Sequence, residues 1–189
     1  MSKVKIDLNA SPYPMPMTLV GAMVGNRPNF LAVAWVSRVN SRPPMIGVAL
    51  GKIHHTNVGI HENKSFSVNI PGRDLLEKTD YCGIVTGKTS DKSRLFEVFY
   101  GEILHAPMIQ QGPLCLECQL VQAVDLPSNT LFIGEIVSAY AEEEILMNGQ
   151  PDIKKMNPFT LTMPDNFYWG VGEKEGQAWN AGKSVKSKV

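Results

Sequence analysis

The sequence predicts a mainly β protein, an antiparallel sheet or barrel carrying a few short capping helices. Three observations lead there. Short apolar runs rich in Val, Ile and aromatic residues recur along the chain. Turn-forming residues separate them. Most of the connections are too short to hold a crossover helix, which parallel strands would require.

In chain order, strands are expected at Met17–Val24, Asn29–Ser37, Met45–Leu50, Phe66–Ile70, Leu114–Val124 and Thr130–Tyr140. The breaks between them, Gly25-Asn26, Arg42-Pro43-Pro44, Pro71-Gly72 and Pro127-Ser128-Asn129, carry turn chemistry. Helical character is confined to Thr56–Glu62, Asp74 to about Val85, and Asp91–Phe99, each with a capping residue near its start. Residues 1–172 therefore read as one domain. From Glu173 a polar, Lys-rich tail follows, with Trp179 its only large apolar anchor, free to stay loose or to clasp a neighbouring subunit.

A length of 189 residues and 43% hydrophobic composition suit one domain with a substantial core. Lys plus Arg balances Asp plus Glu at 18 each, so no global field draws in nucleic acid or a membrane surface. An anionic ligand must be held by local groups. The N-terminus lacks the apolar run of a secretory signal, and no stretch approaches a membrane span of about 20 residues. Three cysteines, Cys82, Cys115 and Cys118, are too few for a disulfide scaffold, and a cytoplasmic location is expected.

The residues that could carry chemistry fall into patches. Alternation along Asn29–Ser37 would put Asn29, Leu31, Val33, Trp35 and Ser37 on one face, an amide, an indole and a hydroxyl among them. That face either lines a cofactor edge or is a barrel strand with Trp35 in its core. Lys52-Ile-His-His-Thr56 lies between a strand and a helix start, where unpaired N–H groups favour an anion; Thr56 adds a hydroxyl, and Lys52, His54 and His55 add possible donors. An ordinary helix start beside surface charges explains the same letters. Thr86-Gly-Lys-Thr-Ser-Asp-Lys-Ser93 is a third basic, hydroxyl-rich patch. It lacks the P-loop pattern, because Cys82 stands where the first glycine should be.

Gly170-Val-Gly-Glu-Lys-Glu-Gly176 is one residue too long for a dinucleotide fingerprint, and too little chain follows it for a βαβ unit. Cys115 and Cys118 lie three apart on a strand and face opposite ways, so they cannot share a metal or a disulfide. Adjacent His54 and His55 diverge, and no metal is expected. No hydrolase nucleophile motif is present.

Taken together, Tyr13-Pro-Met-Pro-Met-Thr-Leu-Val-Gly21, Asn29-Phe-Leu-Ala-Val-Ala-Trp-Val-Ser37, Pro43-Pro-Met-Ile-Gly-Val, His54-His-Thr56, Phe66-Ser-Val-Asn-Ile-Pro71 and Asp80-Tyr-Cys-Gly83 resemble the flavoredoxins, which belong to the flavin reductase-like, FMN-binding split-barrel group. The likeness covers about residues 10 to 172. It implies a Greek-key split β-barrel, a homodimer, and one FMN per subunit near the dimer interface. By resemblance, Asn29, Trp35, Thr56 and Lys92 would touch FMN, with Phe167 as an aromatic near the C-terminal strand; Tyr168 and Trp169 are the alternatives for that role. Ser37, Lys52 and His55 are further candidates. The implied function is electron transfer through FMN, with a redox partner protein, and with no protein acid or base required. Rival readings are an NADH- or NADPH-dependent flavin or ferric reductase of the same fold, a flavin-storage module, and an oxidase of pyridoxamine phosphate.

Overall fold

In the computed structural model, which describes residues 1–186, two strands flank Gly25 as the first hairpin, and Gly25 supplies the positive φ of 56° in its turn. The elements run β1 (Met15–Pro16), β2 (Thr18–Val24), β3 (Arg27–Val33), β4 (Val36–Asn40), β5 (Met45–Gly51), α1 (Thr56–Asn63) and β6 (Ser65–Ile70). A 3-10 turn (Arg73–Leu75), α2 (Leu76–Ile84), a second 3-10 turn (Lys92–Leu95), β7 (Val98–Phe99) and β8 (Met108–Ile109) follow. The long hairpin β9 (Leu114–Asp125) and β10 (Asn129–Ala141) comes next. After it lie a 3-10 turn (Glu143–Ile145), β11 (Leu146–Met147), β12 (Gln150–Pro151), α3 (Ile153–Met156), β13 (Phe159–Leu161), β14 (Tyr168–Gly170) and α4 (Lys183–Lys186).

Seven strands form one antiparallel sheet in the order β3-β2-β6-β9-β10-β5-β4. Its two edge strands, β3 and β4, are consecutive in the chain and joined only by Ala34 and Trp35. The sheet therefore curls until its edges adjoin, and the Ala49 N–H donates to Trp35 O at 2.9 Å beside the seam. The result is a barrel split along one side, with the non-sequential strand order of Greek-key connections. A second sheet, β1-β13-β14, joins the N-terminal segment to the C-terminal one.

Leu31, Val33, Val48, Leu50, Ile60, Phe66, Val68 and Phe132 pack the barrel interior. A second cluster, Leu19, Phe30, Leu75, Cys82, Phe96 and Ile109, seats α2 on the outside of β3. Both faces of β3 are thus covered, with Leu31 and Val33 turned inward and Phe30 turned toward α2. Helix α1 lies against β2 so closely that a Cβ on Gly59 would come within 2.1 Å of Met23 O.

Two expectations need correction. Asn29–Ser37 is not one strand: the alternation holds only to Val33, because the chain leaves one sheet edge there and crosses to the other. Trp35 sits in that crossing, 49% exposed. Asp91–Phe99 is not a helix either. Phe96 is drawn into the second core cluster, edge-on to Phe30 with ring centroids 5.4 Å apart, and its extended backbone ends the turn at Leu95. Of the expected tail, Trp179 is fully exposed, and residues 187–189 lie outside the described residues.

The three thiols are free and buried. Cys118 joins the barrel core, whereas the Cys115 thiol donates toward Ile109 O at 3.4 Å on the opposite face. Burial pushes Cys82 up to about 11 and Cys115 and Cys118 up to about 12. Since the thiolate is the reactive form, native protein is expected to resist an aromatic disulfide reagent at about pH 8. Denatured protein should release all three thiols to it. Fast labelling of the native chain would contradict this packing.

Candidate functional site

The strand β3 and the turn before α1 converge at one end of the barrel. Asn29, 5% exposed, donates from Nδ2 to Thr56 Oγ1 at 2.8 Å, and Thr56 is itself 1% exposed. Thr56 therefore clasps β3 instead of capping its helix, and α1 starts without a side-chain cap. The turn ahead of it is closed by Asn57, whose amide donates to Gly51 O at 2.8 Å and His54 O at 3.0 Å.

The third sequence patch folds over this pair. A Cβ on Gly87 would lie 2.0 Å from Asn29 Oδ1 and 3.2 Å from the His55 ring, so only glycine lets the loop pass. Lys92 reaches in from the second 3-10 turn with 2% exposure. Its ammonium donates to Cys82 O at 3.0 Å and Val85 O at 3.2 Å at the end of α2. No carboxylate pairs with it among the described residues. Arg27, Asn29, His55, Gly87, Ser90, Asp91 and Lys92 surround a narrow polar pocket. Asp91 is already engaged, accepting from Ser93 Oγ at 2.6 Å and lying 3.2 Å from Arg94 Nε.

Burial holds Lys92 below the ordinary lysine pKa, with the Cys82 thiol opposing. His54 is lowered by burial and then by Lys92. His55 is lowered by burial, then by Lys88, Arg27 and Lys92, with Glu62 opposing. These are the electrostatics of a site with surplus positive charge. Unfolded, His54 and His55 protonate at about pH 6.5; folded, both do so only at lower pH. Acidification through that range therefore favours unfolding. The thermal midpoint should fall between about pH 7.5 and 5.5, less steeply in a His54→Gln/His55→Gln variant. An identical slope in both would remove the histidines from the balance.

Two apolar grooves adjoin, both lined by Ala34, Trp35 and Ala49. One, of ≈ 310 Å³, is completed by Leu31, Val33, Leu50, His54, Leu161 and Met163. The other, of ≈ 590 Å³, extends over Met15, Val36, Ser37, Val39, Gly47 and Leu131 and has no charged lining residue. Both volumes suit a small-molecule site.

The structure thus gathers Asn29, His55 and Lys92 around one pocket, ties Thr56 to it only through the buried bond to Asn29, and puts Trp35 and Ser37 on the neighbouring grooves. Lys52 turns outward, 3.7 Å from Asp125. Phe167 is 62% exposed near the tip of the β13–β14 hairpin, whose residues on the smaller groove are Leu161 and Met163. One participant escaped the sequence reading. Arg27 lies two residues before Asn29, a period-two signal that could have found it. His54 faces the apolar groove while His55 faces the polar pocket, the divergence that adjacency at a turn imposes.

An orphaned buried Nδ1 on His55, a buried ammonium with no carboxylate partner among the described residues and a glycine cradle beside an apolar groove suit a phosphate-bearing planar cofactor in their chemistry, while the polar pocket itself, ≈ 10 Å³, has room for about one water. Comparison with known proteins agrees with that fit. The family described as flavin reductase like domain matches residues 10–155. The structure of flavoredoxin from Methanosarcina acetivorans superposes with a TM-score of 0.96 at 55% identity, covering 98% of this chain and 100% of that one. Flavoredoxin of Desulfovibrio vulgaris (Miyazaki F) gives 0.88 at 35% identity, covering 95% and 100%. A more distant relative is the reductase component of a 4-nitrophenol 4-monooxygenase/4-nitrocatechol 2-monooxygenase from Rhodococcus opacus, 24% identical over 66% of this chain and 65% of that one. With most of its length matched, this chain belongs to the flavin reductase-like domain family.

Proposed function

We propose that this protein binds FMN and passes electrons through it, as a flavoredoxin-like electron-transfer flavoprotein. The observation that carries this reading is Lys92, an ammonium 2% exposed with no carboxylate partner among the described residues, set beside the Asn29–Thr56 bond and an apolar groove. A buried unpaired charge costs several kcal/mol, roughly, and an anionic ligand is what offsets it. No helix among the described residues is long and apolar enough to cross a membrane.

In this reading Lys92, His55, Thr56 and the first N–H groups of α1 hold the phosphate. Asn29 bonds the ribityl chain or ring edge, and Trp35 walls the isoalloxazine with Ser37 near its rim. Lys52 and Phe167 reach the site only by swinging inward or from a second subunit, which fits a homodimer with the flavin near its interface. Residues 1–172 form the flavin domain and 173–189 its tail. Bound flavin supplies the one- and two-electron chemistry that the side chains lack; the protein positions it and excludes water.

Similarity to the Rhodococcus reductase component supports a second reading, an NADH- or NADPH-dependent flavin or ferric reductase. One sample separates the two. Purified protein should show flavin bands at about 375 and about 450 nm, and a colourless protein that takes up no added FMN overturns the flavin reading. Addition of NADH and NADPH with ferric chelate or free FMN then decides the activity. Turnover of several per second marks a reductase, and none marks a carrier served by a partner protein.

A further inference from the structure

We infer that His55 grips the phosphate as an imidazolium, so that each FMN enters together with a proton. This rests on the FMN reading above and goes beyond it by assigning a protonation state to one residue. His55 precedes α1 with its Nδ1 buried and without a hydrogen-bond partner, a costly arrangement for a polar atom. The ring faces the same pocket as Asn29, Gly87 and Lys92.

Charged groups act on the ring through space from the elements around it. Arg27 comes from β3, Lys88 from the loop after α2, and Lys92 from the 3-10 turn, all cationic. Glu62, on α1, is the acid that opposes them. The carboxylate of Asp91 also lines the pocket, but it is committed to Ser93 and Arg94. His54 faces the other way, into the apolar groove. Against three cations and burial, the imidazole stays neutral while no anion is present.

A phosphate monoester reverses that field. It brings nearly two negative charges at neutral pH, and an opposite charge at contact distance raises a pKa by about 1–3 units. The proton would come from solvent to the free ring nitrogen, and the imidazolium would donate to a phosphate oxygen. A neutral ring already protonated on the nitrogen that meets the phosphate could donate the same bond without taking up a proton, and that is the outcome the experiment must separate.

Calorimetric titration of the full-length, flavin-stripped protein with FMN, at about pH 7.5 in two phosphate-free buffers of different ionisation heat, counts the protons taken up. Wild type should take up a measurable fraction of a proton per FMN. His55→Gln should take up none, bind FMN about tenfold more weakly, and show flatter pH dependence. Riboflavin, which lacks the phosphate, should give no uptake in either protein. The phosphate's own ionisation is common to both variants and cancels in their difference. Equal uptake by wild type and His55→Gln overturns the inference. So does a His55 ring resonance that stays neutral in the FMN-saturated wild type, a measurement needing no variant. If FMN does not bind at all, the same resonance is followed against inorganic phosphate. An imidazolium shift there keeps this inference and sinks only the flavin, and no shift sinks both.

Discussion

Lys92→Met is expected to weaken FMN binding by about 100-fold while changing the stability of the flavin-free protein by less than about 1 kcal/mol. The two effects separate because the ammonium has two roles of opposite sign. It donates to Cys82 O and Val85 O, and orphaning those acceptors costs about 1–3 kcal/mol. It is also a buried cation without a carboxylate, and replacing it with an apolar chain of similar shape relieves a comparable desolvation cost. In the flavin-free protein these nearly cancel. With the phosphate present the charge is satisfied, and its removal loses a charge-assisted bond of about 1.5–3 kcal/mol. Flavin fluorescence titration and urea unfolding of the same preparation check the pair of values. A variant that loses stability yet holds FMN as tightly as wild type would make Lys92 a clamp on α2 and nothing more.

How much of this was legible in the sequence depends on which interactions are local. The strands β5, β6, β9 and β10 follow from period-two patterns bounded by turn residues, and α1 and α2 lie within a few residues of the expected spans. The seam at Ala34-Trp35 could not be read, because Ala-Trp-Val continues an apolar run and the break exists only where two distant sheet edges meet. The β1-β13-β14 sheet was invisible for a related reason. Its strands are short and carry or adjoin Pro14, Pro16, Pro158 and Pro164, and their stability comes from pairing Met15 with Leu161 across most of the chain. Propensity favoured a helix at Asp91–Phe99, yet the burial of Phe96 against Phe30 outweighed it.

The site shows the same division. Composition at a helix start singled out Lys52, His55 and Thr56 alike, but side-chain direction distinguishes them. Thr56 turns inward to Asn29 and Lys52 outward to Asp125. The Asn29–Thr56 bond joins residues 27 apart in sequence, and nothing in either segment alone specifies it. What the sequence did carry was the inventory of donors; tertiary packing decided which of them share a pocket.

Glu117→Ala should cost about 3 kcal/mol of stability and leave the FMN affinity of the folded protein unchanged. Glu117 is wholly buried near the start of β9, opposite Ser67 of β6. Its carboxylate accepts from the Ile103 N–H at 2.8 Å and the Glu102 N–H at 3.1 Å, with Tyr140 Oη at 3.5 Å. Gly101 carries this loop so close that a Cβ there would meet Glu117 Oε2 at 2.7 Å. The carboxylate thus replaces a strand partner for a loop that has none. Truncation orphans two backbone donors, each costing about 1–3 kcal/mol, and leaves a cavity between the loop and β9. Glu117→Gln should lose less, because its carbonyl oxygen still serves one N–H while its amide opposes the other. Against a typical stability of about 5–15 kcal/mol, the alanine loss would be plain in a urea titration. A change below about 1 kcal/mol would mean the loop is held elsewhere. The contrast with Lys92 is the useful part: both are buried charges, but Glu117 is satisfied by this chain's own amides, so its removal should weaken the scaffold, whereas the charge on Lys92 awaits a partner from outside.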